Sequence, residues 1–188
     1  HMRTIDMIQG LGEPVITVHI GLNRSKPLST EAAADNLSRL VEHASARGIS
    51  VCLENMRDGI ASNPENILAW SEAAGSQITF DAGHAISSEI VKQGLYSAAD
   101  ILEMFKPRLS EVHIYAKEEK GRHHPITCIA PLKELVDSLL GSACRWWTVE
   151  LNDIVEAFNT RELLLEYTHT INQQEEKHIL QEFHQIQK

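Results

Sequence analysis

Short apolar segments of this chain end on, or carry near their ends, a carboxylate or an imidazole: VITVHI holds His19, SVCLEN holds Glu54, ITFDAGHA holds Asp81 and His84, EVHIY holds His113, and WTVEL holds Glu150. A single ionisable residue at such a position says little, because a strand-end carboxylate caps the following helix as readily as it does chemistry. Asp81 before AGHA and Glu54 before NM both admit that reading, and His84 alone admits a buried imidazole satisfied by a backbone carbonyl. Several carboxylates and imidazoles at matching points of successive segments mean more. Brought together, they would carry a steep charge cost unless a bound cation or protonation compensated it. Oxygen and imidazole donors without thiolates suit Mn²⁺, Mg²⁺, Co²⁺, Fe²⁺ or Zn²⁺, and do not choose among them. A set of Glu54, Asp81, His113 and Glu150 can leave coordination positions for a substrate, as a Lewis-acid site requires. GRHHPI adds Arg122, His123 and His124, which read either as a solvated loop or as groups that orient a substrate; Arg122 suits a phosphate or carboxylate if it is not simply exposed.

Convergence of these side chains requires an architecture that brings the strand ends to one place. Apolar, β-branched segments alternate with helical patterns: VITVHI, then EAAADNLSRLVEHASARG; ISVCLENM, then NPENILAWSEAAG; QITFDAGHA, then SAADILEMFKPRL; SEVHIYAK, then APLKELVDSLLGSA; and last CRWWTVEL. GRHHPITCI is expected to add a short strand of its own. This alternation predicts an α/β fold with a parallel sheet covered by helices, in which all strand C-termini lie at one end. About six parallel strands are expected. From about residue 160 the chain turns polar and helical, with Leu164, Tyr167, Ile171, Ile179, Phe183 and Ile186 near helical spacing. The expected organisation is a barrel-like domain over residues 3–159 and a helical extension over 160–188, the latter a surface helix or a cover for the barrel.

The chain has 188 residues, 43% of them apolar, enough for one sizeable core. Seventeen basic residues against 26 acidic ones give a net charge of −9, which disfavours a nucleic-acid partner. Cys52, Cys128 and Cys144 lie far apart and suggest neither a disulfide framework nor a thiolate zinc site. Without a membrane-length apolar run or a signal peptide, the expected location is the cytoplasm.

Taken in order, VHIG, CLENM, FDAGHA, EVHIYA, RHHPI and TVEL resemble the xylose isomerase-like TIM-barrel superfamily, which includes sugar isomerases and epimerases and the endonuclease IV proteins. The resemblance runs from about residue 5 to 160 and implies an incomplete barrel: VITVHI matches the third strand, GRHHPI stands near the seventh, WWTVEL matches the eighth, and the first two have no counterpart. Two edges would then be open, implying self-association or a cover from the C-terminal helix. By resemblance to the isomerase and epimerase members, Glu54, Asp81, His113 and Glu150 bind a divalent metal. Glu54 and Glu150 also exchange protons with the substrate carbon, and His84 helps to hold substrate oxygens; His123 is expected to orient the substrate. His19 is expected to contact substrate or a second metal, and the substrate is a small sugar or sugar phosphate. In the endonuclease members, by contrast, residues matching His19, Glu54, Asp81, His84, His113, His123 and Glu150 help to hold three zinc ions. Here the aspartate of that family's D-x-H pair is replaced, since the segment reads Gly121-Arg122-His123. A third reading is a noncatalytic metal-binding or assembly module, because function resides in the complete site rather than the scaffold.

Overall fold

The computed structural model describes residues 1–12, 14–20 and 29–186, with side chains described as far as residue 173. Gly21 of the VHIG motif, and the side chains of Ile179, Phe183 and Ile186, lie outside the described residues.

A short helix α1 (Met2–Ile8) precedes strand β1 (Val15–Val18) and helix α2 (Thr30–Ser45). Ser29 caps α2 by accepting from the Ala32 amide, and Leu37, Leu40 and Ala44 supply its buried stripe. Strand β2 (Ser50–Glu54) leads to α3 (Pro64–Ala74), which starts with Asn63 as cap and Pro64 in the first turn and stops at Gly75 with φ 72°. Next come β3 (Gln77–Asp81), the short helices α4 (Ala82–Ser87) and α5 (Glu89–Lys92), and α6 (Ala98–Phe105), which opens on a reciprocal Ser97–Asp100 capping box. The chain continues through β4 (Leu109–Ile114), β5 (Lys117–Glu119), β6 (Arg122–His124), α7 (Lys133–Leu140), β7 (Trp147–Val149) and α8 (Ile154–Ile186).

Five parallel strands form one sheet in the order β1-β2-β3-β4-β7. It is a half-barrel, short of the eight strands a closed parallel barrel uses. Among the described residues, β1 and β7 each have a strand neighbour on one side only. One face of the sheet is apolar: Val18, Val51, Leu53, Ile78, Phe80, Val112 and Ile114 are buried in the main core with Leu37 of α2, Ile67 of α3, Leu102 of α6 and Leu139 of α7. The other face is polar.

The GRHHPI segment corrects the expected strand count and register. Arg122–His124 does not enter the parallel sheet but folds back antiparallel on β5, and β4 pairs directly with β7. Lys120 and Gly121 at the turn both have positive φ, 51° and 74°, as a tight two-residue hairpin turn demands. A parallel pairing would instead need a long crossover at that point.

Helix α8 begins at Ile154, so residue 160 lies inside it. Asp153 caps it by accepting from the Val155 and Glu156 amides. Its first turns belong to the body of the fold: Thr160 is fully buried and accepts from the Ile126 amide, Leu164 is buried, and Tyr167 donates to Asp137 of α7. Among the described residues, no helix is long and apolar enough to cross a membrane.

Candidate metal centre

Alternation along the five parallel strands builds the polar face in two tiers. The lower tier is Thr17, Cys52, Thr79, Glu111 and Thr148. Two residues further along each strand stands the upper tier: His19, Glu54, Asp81, His113 and Glu150. Hydrogen bonds across the lower tier join Thr17 to Thr79 and Glu111, and Glu111 to Thr148, so residues from β1, β3, β4 and β7 meet on one face. Because the strands are parallel, the upper tier gathers at the C-terminal end of the sheet, where barrels of this type carry their chemistry.

Glu54, Asp81, His113 and Glu150 each offer one ligand atom, and these four atoms lie within 4.8 Å of one another. His113 Nδ1 is 3.3 Å from both Glu54 Oε1 and Glu150 Oε2, and His19 Nε2 is 2.9 Å from Glu54 Oε2. These approaches are close without hydrogen-bond alignment. Glu54 Oε2, His113 Nδ1 and Glu150 Oε2 remain buried polar atoms lacking a hydrogen-bond partner. Such orphaned atoms are rare in folded proteins. Three of them converging from three strands, with oxygen and imidazole character, fit a divalent cation.

The electrostatics agree. Burial opposes ionisation of Glu54, but the imidazoles of His113 and His19 outweigh it and bring its pKa down to about 2. Burial likewise opposes charge on His113, yet Glu111, Glu150 and Glu54 around it raise its pKa to about 12. The Glu150 carboxyl is held below its usual range, chiefly by His113. Asp81 moves the other way: burial, reinforced by the charges of Glu54 and Glu150, holds it well above the usual carboxylate range. A proton on His113 therefore does in the metal-free protein part of what a bound cation would do.

Asp81 also fulfils the capping role, since its Oδ1 accepts from the His84 amide at the start of α4. Its Oδ2 accepts from the Tyr115 hydroxyl at 3.1 Å. Asn55 fixes the spacing of the β2 and β3 ends, donating to the Asp81 carbonyl and accepting from the Asp81 amide.

A second group of possible ligands, His84, Glu118 and His123, adjoins the first. The Nδ1 of His84 lies 3.0 Å from the Asn55 carbonyl and that of His123 lies 2.9 Å from the Glu150 carbonyl. A carbonyl only accepts, so both rings carry their proton on Nδ1 and turn Nε2 toward the cleft. His84 Nε2 is 3.2 Å from Glu118 Oε2, and Glu118 Oε1 accepts from Arg57. His84, Glu118, His123 and Arg57 line a pocket of about 170 Å³.

Of the residues singled out from sequence, His19, Glu54, Asp81, His84, His113, His123 and Glu150 come together. Arg122 stands apart: its guanidinium is largely exposed and donates to Glu156 of α8. Neighbouring strand residues face opposite ways, so His123 turning inward turns Arg122 outward. His124 faces Glu119 across the hairpin at 3.9 Å. Asn55, Arg57, Glu111, Tyr115 and Glu118 were not singled out. Glu111 and Tyr115 carry a readable signal, standing two residues either side of His113 and so on the same face. Glu118 and Arg57 carry none, since a loop and a hairpin bring them in. A cavity of about 1120 Å³ lies elsewhere, between α7, β7 and α8, and contains neither ligand group.

A parallel half-barrel that gathers carboxylates and imidazoles at its C-terminal end defines the class of α/β barrels to which the fold belongs. The xylose isomerase-like TIM barrel family model matches residues 2–168, and the chain belongs to that family. The chain is 32% identical over 156 residues to the uncharacterized protein MJ0008 of Methanocaldococcus jannaschii, a match covering 83% of this chain and 67% of that one. Among solved structures it resembles a D-tagatose 3-epimerase-like protein, with a TM-score of 0.68 and 24% identity over 92% of this chain and 68% of that one. A D-psicose 3-epimerase solved in the presence of D-fructose superposes with a TM-score of 0.63 at 14% identity, over 90% of this chain and 68% of the other. At these identities the structural likeness establishes the fold.

Proposed function

We propose that this protein is a divalent-metal-dependent isomerase or epimerase acting by proton transfer on a small polyhydroxylated substrate of the sugar class. The observation that carries the reading is the convergence of Glu54, Asp81, His113 and Glu150 within 4.8 Å, with three buried atoms lacking hydrogen-bond partners. The fold shared with structures titled as sugar epimerases supports it.

These four side chains would hold the cation, which when bound polarises a substrate carbonyl and its neighbouring hydroxyl. Glu54 and Glu150 then work on the carbon. Glu54 is buried and kept ionised by His113 and His19, and its place at the centre, rather than its lowered basicity, suits it to take a proton from carbon. Glu150 follows the last strand with its side chain 43% exposed, where it can take a proton from solvent and give it to the carbon, while Glu54 gives up the one it took before the next turnover. His84 and His123, locked by backbone carbonyls, present Nε2 to substrate hydroxyls. His19 steadies Glu54 at the rim. The test is incubation with Mn²⁺ and a panel of ketoses and their phosphates in deuterated solvent: deuterium at the carbon next to the carbonyl supports the proposal, and no exchange in a metal-loaded protein contradicts it.

A second reading has one specific observation in its favour. Glu118 reaches the His84–His123 pair from the hairpin and adds a carboxylate to it, although the segment carries glycine at Gly121. A phosphodiesterase with more than one metal would use that group as a further cation site, and nicking of abasic DNA by metal-loaded protein is its assay. Protein that binds metal but shows neither activity would be a noncatalytic module. Self-association across the open β1 or β7 edge remains part of the proposal, tested by solution mass.

A further inference from the structure

The lower tier holds threonines and a cysteine on the other four strands but an acid, Glu111, on β4. Glu111 is buried, 8% exposed, in the interior of the half-barrel. Its Oε2 accepts from Thr17 at 2.6 Å and lies 3.4 Å from the Thr79 hydroxyl, while its Oε1 accepts from Thr148 at 3.0 Å. These hydroxyls would satisfy a neutral amide equally well, whereas burying a carboxylate carries a desolvation cost. The remaining neighbour shows what the charge is for: Glu111 Oε1 is 3.4 Å from His113 Nε2. A carboxylate facing an imidazole nitrogen favours a proton there, and of the three carboxylates around this ring only Glu111 lies on the Nε2 side, whereas Glu54 and Glu150 on the Nδ1 side are themselves candidate ligands of the cation. The other ring nitrogen, Nδ1, then points between Glu54 and Glu150, and it is one of the buried atoms without a hydrogen-bond partner.

We propose that Glu111 is the positioning residue of the metal centre: it keeps the proton of His113 on Nε2, so that Nδ1 is the nitrogen offered to a divalent cation. Glu111 acts through His113 and does not touch the ion. The inference rests on the metal-dependent reading above and adds to it the orientation of one ligand. Carboxylates behind a ligating histidine fix its tautomer and ring plane, and their loss typically costs about 10–100-fold in metal affinity.

Glu111→Gln is the test, because the amide keeps shape and hydrogen-bonding capacity toward the threonines while removing the negative charge that favours a proton on His113 Nε2. Calorimetric titration with Mn²⁺ should show binding weakened about 10–100-fold with the fold unchanged by circular dichroism. In a His113→Ala background the same substitution should add nothing. Wild-type protein needs no variant for the second readout: with Zn²⁺ as a diamagnetic probe, histidine ¹⁵N spectra should show His113 ligated through Nδ1 and protonated on Nε2. Ligation through Nε2, unchanged Mn²⁺ affinity in Glu111→Gln, or an equal penalty in the His113→Ala background overturns the inference and leaves the metal reading standing. Wild-type protein that takes up neither Mn²⁺ nor Zn²⁺ overturns the metal reading, and the inference with it.

Discussion

Gly83 and Tyr115 share one space: a Cβ on Gly83 would fall 2.0 Å from Tyr115 Cε2. The bare backbone of α4 at Gly83 lets the phenol ring pass close enough to do two jobs. Its hydroxyl donates to Asp81, and its ring stacks on His123 with centroids 3.9 Å apart and planes 7° from parallel. One fully buried side chain thus connects the four-ligand centre to the His84–Glu118–His123 group.

Gly83→Ala is therefore expected to be costly for a substitution of one methyl. Overpacking of this kind destabilises by about 1–3 kcal/mol, and the ring has no open direction in which to yield without releasing Asp81 or His123. Urea unfolding should show the loss, with weaker metal binding beside it. Wild-type stability together with wild-type metal affinity would mean that the ring is not held where it is described.

Tyr115→Phe separates the two jobs. The stack on His123 survives, but Asp81 Oδ2 loses its donor in a buried setting, a loss of about 1–3 kcal/mol of metal-free stability. Chemical denaturation of the metal-free variant measures it, and an unchanged midpoint would count against the hydrogen bond.

Metal uptake should release protons. Near neutral pH His113 is protonated, its pKa raised to about 12, so a cation must displace a proton to bind. Apparent affinity is expected to rise from pH 6 to pH 8, and calorimetry in buffers of different ionisation enthalpy should register release. The folded-state shift of His113 has its own sign. Raised above the unfolded value of 6.5, it stabilises the metal-free fold fully below that pH, and the contribution fades as pH climbs toward 12. Metal affinity that ignores pH would contradict this arrangement.

Arg122→Ala should leave metal affinity and stability nearly untouched, because an exposed pair such as Arg122–Glu156 is worth about 0–1 kcal/mol. A rise in KM at constant kcat would return Arg122 to the substrate; a loss of metal would contradict its position on the outer side of the hairpin.

The upper tier was legible because a parallel sheet sends every strand end to one side, so Glu54, Asp81, His113 and Glu150 could be matched by position alone. The strand count was not, since Lys120 takes a positive φ where asparagine or aspartate is the usual signal, and without that signal the hairpin strand reads like a barrel strand. That hairpin also decides which groups face the cleft, bringing Glu118 in and turning Arg122 out. Glu111 was readable in principle from its spacing to His113. An acid near the start of a strand suggests a solvated position, however, and only the threonines of β1, β3 and β7 show that it is enclosed.

The central claim is that Glu54, Asp81, His113 and Glu150 hold one divalent cation between four strand ends. Elemental analysis of wild-type protein and Glu150→Gln, each dialysed against Mn²⁺ and then against metal-free buffer, tests it most directly. The account predicts retained stoichiometric metal in the wild type and its loss in the variant; wild-type protein that emerges metal-free, or a variant that retains metal equally well, would contradict it.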